Sequence, residues 1–204
     1  MTILAIDTST NHGSVALLAD GEMRLEETFT ADRTTSSSLF AVLERAVALA
    51  SRVDQVVIGL GPGSYAGVRI AIAAAIGLEL GGGAQLIGIP SVAALETDAV
   101  GYLAIGDARR ETFYYTRVED GVCVEGPLLA TETELRERLA AHAELPAFAS
   151  APLAAFPAVQ IALPSAVRLA RLASAARGIT ATGDLEPIYL REPHITLPKA
   201  RPPL

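Results

Sequence analysis

The sequence predicts an α/β fold of two similar domains with mixed sheets, in which the second domain is smaller and degenerate. Apolar runs of strand length alternate with segments of helical periodicity, and a similar order of segments returns after residue 100. Asp7 lies 13 residues before the Asp-Gly pair at 20–21. Asp107 lies the same distance before a second Asp-Gly pair at 120–121. This matched spacing indicates a duplicated hairpin unit.

The composition bounds the class of protein. Half of the 204 residues are apolar and 19% are charged, which is typical of a globular chain with a sizeable core. A formal net charge of -7 disfavours direct, unassisted binding to nucleic acid. Cys123 is the only cysteine, which excludes an internal disulfide and fits a reducing compartment. No basic N-terminal region and no uncharged apolar segment near ~18 residues are present, so we expect a cytoplasmic protein without membrane contact.

The first three elements are predicted to be antiparallel strands. Apolar runs at 3–7 and 14–18 have strand length, and the Asp-Gly pair at 20–21 is typical of a hairpin turn. The turn leads into a third strand through Met23 and Leu25.

A helix is predicted next, over residues 36–52. Residues 34–38 supply capping side chains at its start. Its apolar residues recur at helical spacing: Leu39, Leu43, Ala46 and Ala50 form one stripe, with Phe40 and Val47 beside it.

A buried strand and a glycine turn follow, and the rest of the chain is organised around them. Residues 56–60 are predicted to be the strand, residues 61–63 break it, and Ser64 caps the next helix. Backbone N–H groups in such a turn can hold a phosphate or a carboxylate, but many purely structural turns have the same sequence. Both interpretations remain open at this point.

The helix after the turn, predicted over 66–80, is apolar on two sides. Val68, Ile72, Ile76 and Leu80 form one stripe, and Ile70, Ala74 and Leu78 lie opposite. One stripe can pack on the preceding strand, whereas the other requires a second layer of the same chain or a partner. Each isoleucine left in water would forgo roughly 1.5–3 kcal/mol.

The remaining segments complete two domains, assigned to 1–99 and 100–204. In the first, a turn at 81–83 leads to a strand at 86–89 and a short helix at 92–98. The predicted elements of the second are strands at 102–106 and 112–118, a helix opened by the Thr131–Glu134 capping box, a strand at Phe148, a last helix over 165–177 and a surface tail from 184.

Few residues have the pattern of a catalytic or metal site. The three histidines lie far apart without a second histidine at ligand spacing, so no metal site is expected. Pro62 and Ala66 occupy the glycine places around Ser64, which excludes a hydrolase nucleophile elbow. Cys123 lies between two valines of a strand, where burial makes its thiol inert.

A nucleotide cleft between the two hairpins is predicted to be degenerate. The first hairpin tip and the glycine turn could face one cleft, but the second hairpin offers Arg109 and Arg110 where a phosphate would need glycine. The residues of this vestigial nucleotide or anion contact are Asp7, Thr8, Ser9, Gly61, Pro62, Gly63 and Ser64.

Four motifs, taken in order, resemble the TsaB (YeaZ) family of bacterial proteins. They are ILAIDTST at 3–10, GPGSYAG at 61–67 followed by VRIAIA, GDARRETFY at 106–114 and EPIYLRE at 186–192. The resemblance spans nearly the whole chain. It implies two actin-like, or ASKHA (RNase H-like), domains. It also implies a non-catalytic scaffold or activator subunit of the complex that places a threonylcarbamoyl group on the adenosine next to the tRNA anticodon.

The resemblance also implies partners. A TsaD-like catalytic subunit carries the metal-binding histidines and performs the transfer, and a TsaE-like ATPase completes the set. The family chain forms a homodimer when alone, meets tRNA only through the complex, and has no cofactor of its own, with nucleotide at a shared interface left open. Pairing uses the first two helices, here 36–52 and 66–80. The interface residues carried over are Ser36, Leu39, Phe40, Leu43, Val47, Val68, Arg69, Ile72, Ala73 and Ile76.

Two other functions are alternatives to pairing. The first is an independent ATPase or sugar kinase of the same fold, which would use Asp7 and residues 61–64 as phosphate contacts. The second is a peptidase, for which the sequence offers no nucleophile, metal pair or acid dyad.

Overall fold

The computed structural model describes residues 1–30 and 35–191, in which two β-sheets each carry helices. The first sheet contains β1 (Thr2–Asp7), β2 (His12–Ala19), β3 (Glu22–Thr30), β4 (Gln55–Gly59) and β5 (Gln85–Ile89). The second contains β6 (Gly101–Asp107), β7 (Thr112–Glu119), β8 (Val122–Thr131), β9 (Ala147–Ala149) and β10 (Gln160–Ile161). A last short strand, β11 (Ala181–Thr182), joins the edge of the first sheet.

The two sheets repeat one topology. Their strand orders are β11-β5-β4-β1-β2-β3 and β10-β9-β6-β7-β8, so β1 and β6 hold equivalent central places. Each central strand pairs antiparallel with the next strand along the chain and parallel with a later one. Asp20 and Asp120 both turn their hairpins with φ of 50°. The α/β class with mixed sheets and the duplicated hairpin unit are therefore confirmed.

Four α-helices lie among the described residues. They are α1 (Thr35–Ala48), α2 (Tyr65–Gly82), α3 (Glu132–Ala141) and α4 (Ala166–Ser174). The capping residue predicted at 34 lies outside the described residues. The helix predicted over 36–52 ends at Ala48, so the placement of Ala50 in its stripe is wrong. The short helix predicted at 92–98 is only a 3-10 turn over Ser91–Ala94, because Leu95 instead bridges to Pro164.

The first sheet is buried on both faces. Leu4 and Ile6 of β1 point toward α1 and α2, whereas Ile3 and Ala5 point toward α4 and the second sheet. This double burial explains why the first strand is a continuous apolar run rather than an alternating one.

Helix α4 lies between the two sheets and joins them. Leu169 and Ala170 are fully buried in a core to which both sheets contribute, and Ala166 N–H donates to Ser14 Oγ at 3.0 Å. Helix α3 covers the outer face of the second sheet. The layers are thus α1 and α2, the first sheet, α4, the second sheet and α3. The domain boundary at 99–100 stays a prediction, because one apolar core spans it.

Candidate functional site

The glycine turn between β4 and α2 uses its own backbone donors internally. Gly61 N–H donates to Ser91 Oγ at 2.9 Å, and Ser64 N–H donates to the Ser9 carbonyl oxygen at 2.6 Å. Ser64 caps α2 as predicted, since its Oγ accepts from Gly67 N–H at 3.2 Å. Three backbone donors of this segment, those of Gly61, Ser64 and Gly67, are therefore occupied by the chain itself.

The loop after β1 packs against one side of this turn. Thr8 Oγ1 donates to the Gly67 carbonyl oxygen at 2.7 Å. A Cβ built on Gly63 would lie closer than 3.0 Å to the carbonyl oxygen of Ser9, and one on Gly67 equally close to that of Thr8. On this side the backbones of the two loops meet without a gap, so Gly63 and Gly67 have a structural role in letting the Thr8–Ser9 loop approach.

Asp7 is buried at the end of β1 and supports the loop rather than facing a ligand. Its Oδ1 accepts from Ser9 N–H at 2.8 Å and from Ser9 Oγ at 2.7 Å. Its Oδ2 makes no hydrogen bond of normal geometry within the described residues. Burial raises the pKa of Asp7, and the hydroxyls of Ser91 and Ser9 oppose that shift.

We expect Asp7→Asn to stabilise the chain at neutral pH. The raised pKa means that folded Asp7 keeps its proton where unfolded Asp7, with a pKa of about 4, has lost it. The contribution of this group to stability is therefore complete below about pH 4 and is lost as the pH rises through the folded pKa, at about 1.4 kcal/mol per pH unit. Asparagine keeps an Oδ1 acceptor for Ser9 and has no charge to bury.

Thermal unfolding at about pH 4.5 and pH 7.5 checks this expectation. Asp7→Asn should raise the melting temperature at the higher pH and change it little at the lower one. A melting temperature lowered equally at both values would show that the carboxyl group itself holds the loop.

The second hairpin offers crowded, left-handed backbone in place of a phosphate loop. Arg109, Arg110 and Glu111 have φ of 63°, 54° and 59°, a conformation that costs on the order of 1–2 kcal/mol per residue. Arg109 N–H donates to Asp107 Oδ1 at 2.7 Å, which closes the turn on itself. The sequence showed only a tight turn without glycine, which does not predict left-handed backbone at three successive residues.

The chain after β11 passes over the mouth of the cleft. Ile188 N–H donates to the Leu60 carbonyl oxygen at 2.9 Å, and the Tyr189 and Tyr65 rings lie 5.4 Å apart. Arg191 donates to Thr112 Oγ1 and to the Arg109 carbonyl oxygen at 3.3 Å. Between these segments remains a cavity of about 220 Å³. The sequence predicted only a surface tail from residue 184, and not that residues 185–191 would cross the cleft. Residues 192–204 lie outside the described part of the chain.

The ten residues assigned to a partner interface divide into two groups. Leu39, Leu43, Val68 and Ile72 are buried against the first sheet. Ser36, Phe40, Val47, Arg69, Ala73 and Ile76 are exposed on the sides of α1 and α2 that face away from it. We call the exposed group, together with Leu80, the outer helix face. The four buried residues therefore support this face from beneath rather than form it.

The two stripes predicted for α2 do not match its orientation. Val68 and Ile72 are buried, but Ile76 is 43% exposed and Leu80 is 82% exposed. The 18 residues of α2 extend for about 27 Å, whereas the five residues of β4 cover about 17 Å. The last turns therefore project beyond the strands, and apolar residues that continue the buried stripe reach solvent. Ala74 of the opposite stripe is buried as well.

The described residues include neither a metal-binding cluster nor a reactive thiol. Across 1–30 and 35–191, no three His, Cys, Asp or Glu side chains are grouped to hold a metal ion. Burial raises the pKa of the Cys123 thiol to about 12, so the thiol stays protonated.

Helix α2 is long and apolar enough to cross a membrane by length and composition alone, with a mean hydropathy of 1.3. The helix carries Arg69 and Glu79, so the expectation that no uncharged apolar segment approaches ~18 residues is not contradicted. The helix buries one side on the first sheet, and a core helix of a folded domain passes the same test.

Comparison with known proteins gives matches over most of the chain. The family model described as "TsaD: tRNA N6-adenosine threonylcarbamoyltransferase" matches residues 32–157, more than half of the chain. YeaZ from Pseudomonas aeruginosa has a similar structure, with a TM-score of 0.72 and 27% identity over 93% of this chain and 99% of that one.

Relatives by sequence include a mycobacterial protein and an Escherichia coli protein. An uncharacterized protein of Mycobacterium tuberculosis is 32% identical over 94% of this chain and 92% of its own length. The "tRNA threonylcarbamoyladenosine biosynthesis protein TsaB" of Escherichia coli is 34% identical over 60% of this chain and 58% of its own.

Proposed function

Because this chain belongs to the TsaB (YeaZ) family, we propose that it is the scaffold and activator subunit of a tRNA adenosine-37 threonylcarbamoyltransferase complex. In this role it pairs with a TsaD-like catalytic subunit and performs no transfer chemistry itself. The family assignment supports a place in threonylcarbamoyladenosine biosynthesis, and the exposed apolar residues of α1 and α2 support pairing.

The observation that carries the proposal is the outer helix face. Phe40 is 56% exposed and Val47 is 40% exposed on α1, beside Ile76 and Leu80 on α2. The two helices contact each other and cover the same side of the first sheet, so these side chains belong to one surface. Large apolar side chains gathered on one face are typical of protein interfaces.

The geometry of the glycine turn supports a role without nucleotide hydrolysis. Asp7, Thr8 and Ser9 are buried, and their loop closes directly on Gly63 and α2. An actin-like enzyme would need this space for phosphate. Nucleotide shared between subunits would accordingly bind the complex and not the isolated chain.

The remaining partner assignments extend the proposal. We assign a TsaE-like ATPase to the assembled complex, and a homodimer through the outer helix face to the chain alone. The net charge of -7 disfavours direct binding of this chain to the tRNA phosphate backbone, so we assign tRNA binding to the complex. These reactions belong to the cytoplasm.

Co-expression with the TsaD-like protein of the same organism tests the proposal. We expect one peak in size-exclusion chromatography whose mass by light scattering equals that of a heterodimer or its double. A chain that stays monomeric at high concentration and elutes apart from the TsaD-like protein would contradict the proposal.

The alternative of an independent ATPase or sugar kinase makes the opposite prediction for nucleotide. We expect titration of the isolated chain with ATP and Mg²⁺ in a calorimeter to give no saturable heat. The same titration of the complex serves as the control. Binding of ATP by the isolated chain at about 1 μM, equivalent to about 8 kcal/mol, would require the Thr8–Ser9 loop to open and would favour the enzyme.

A further inference from the structure

A second groove lies at the opposite end of the sheets from the glycine turn. It has a volume of about 360 Å³ and is bounded by α4, by the connection at 98–100 and by the hairpin turn at 120–121. The connection joins the two sheets, and α4 is packed between them, so every wall of the groove touches the junction of the two halves. The proposed pairing surface lies elsewhere, on the far side of the first sheet.

The groove is lined by three arginines and two aspartates, so the charge of its lining is positive. Arg168, Arg171 and Arg177 line it, and Arg177 forms an ion pair with Asp120. Within the described residues, neither Arg168 nor Arg171 has a hydrogen bond or an ion pair, although Asp98 lines the same groove. A chain with a net charge of -7 therefore places two unpaired guanidinium groups side by side.

This arrangement is not favourable for the folded chain by itself. Arg168 and Arg171 are three residues apart on α4, so their positive charges lie on one face of the helix and repel each other. Arg168 is half-buried and Arg171 is exposed, so both guanidinium groups can be reached by a ligand in the groove. Arginine is well suited to this position only if an anion occupies the groove.

Part of the lining beside the arginines is apolar. Ala93, Val100 and Leu172 line the groove together with the two guanidinium groups. A volume of about 360 Å³ lies within the range of small-molecule sites, which combine apolar walls with a few charged groups. The chemistry therefore matches a ligand with an anionic end and a compact apolar body.

We propose that this groove binds a small organic anion, whose carboxylate or phosphate group accepts hydrogen bonds from Arg168 and Arg171. Its apolar part packs against Val100 and Leu172. Planar guanidinium groups suit both anions, because each can donate two parallel N–H bonds. The site is independent of partner pairing, since it shares no residue with the outer helix face.

Calorimetric titration of the full chain with three probes tests the site: benzoate, phenyl phosphate and inorganic phosphate. We expect saturable binding of benzoate or phenyl phosphate, with the tighter of the two identifying the anionic group. Inorganic phosphate should bind at least ~tenfold more weakly than phenyl phosphate, because it lacks the apolar body. Binding should weaken as salt is added.

Variants at the two arginines identify the groove. Arg171→Gln, at an exposed position, and Arg168→Gln should each weaken probe binding by about tenfold or more, the usual value of one lost charge-assisted contact. Arg110→Gln removes an exposed arginine of the other cleft and should leave binding unchanged. Circular dichroism melts check that each variant is folded. If Arg168→Gln does not fold, the binding result for Arg171→Gln decides the test.

Any of three results would overturn the proposal. The first is no saturable binding of either aromatic anion, and the second is an equal loss of affinity in Arg110→Gln. The third is tighter binding of a glutamate hexapeptide than of any small anion, which would make the groove a docking site for an acidic protein segment.

Discussion

The double substitution of Phe40→Glu and Ile76→Glu is expected to abolish pairing with the TsaD-like subunit while the chain stays folded. Both side chains are about half exposed, so glutamate can be tolerated in the isolated chain. In the complex each loses apolar burial of roughly 1.5–3 kcal/mol and places a carboxylate without a partner in the interface. The combined loss corresponds to a fall in affinity of more than ~100-fold.

Pull-down and size-exclusion chromatography with the TsaD-like subunit measure this effect. Ile161→Glu is the matched control, because Ile161 is 53% exposed on β10 of the second sheet, away from the outer helix face. The control should pair normally. If it is as defective as the double variant, or if the double variant still pairs, the interface lies elsewhere on the molecule.

Ile72→Glu, which the helical periodicity of α2 alone would suggest as the interface variant, should give a different result. Ile72 is buried against the first sheet, so a glutamate there would destabilise the fold before it could report on pairing. Loss of the cooperative melt in circular dichroism would distinguish this outcome from a defect in pairing.

Gly67→Ala is expected to destabilise the chain by at least about 3 kcal/mol, near the upper limit for overpacking. The new Cβ would overlap the carbonyl oxygen of Thr8 and press on Ser64 Oγ, the capping group of α2. The Thr8 backbone is held in turn by its own side chain, whose Oγ1 donates to the Gly67 carbonyl oxygen. Relief of the overlap would therefore require the whole loop to move away from the glycine turn.

Gly77→Ala in the same helix is the matched control. Nothing lies within 4 Å of a Cβ built on Gly77, so alanine should gain about 1 kcal/mol from its higher helix propensity. Urea unfolding of both variants measures the difference. Equal stability of the two variants would mean that the Thr8–Ser9 loop is free to retreat and that the turn can open for an anion.

Much of the fold follows from local sequence. The strands around Asp7 and Asp107, the two Asp-Gly turns and the caps at Ser64 and Thr131 were all predicted, because each depends on neighbouring residues in the chain. The repeated spacing also predicted that the two halves share one topology. The errors include helix ends, the orientation of the α2 stripes, the unpredicted short strands β10 and β11, and the segment at 92–98, where Leu95 bridges to Pro164.

The sequence by itself determined the fold class, the duplicated hairpins and the motifs of the TsaB (YeaZ) family, since periodicity, turn chemistry and motif order are properties of neighbouring residues. Only the tertiary structure decided that the Thr8–Ser9 loop packs against the glycine turn and that α2 is longer than the strands beneath it. It also decided that two arginines of α4 line a groove at the junction of the two sheets. Each of these depends on segments that lie far apart in the chain, and their separation after folding is set by packing rather than by local propensity.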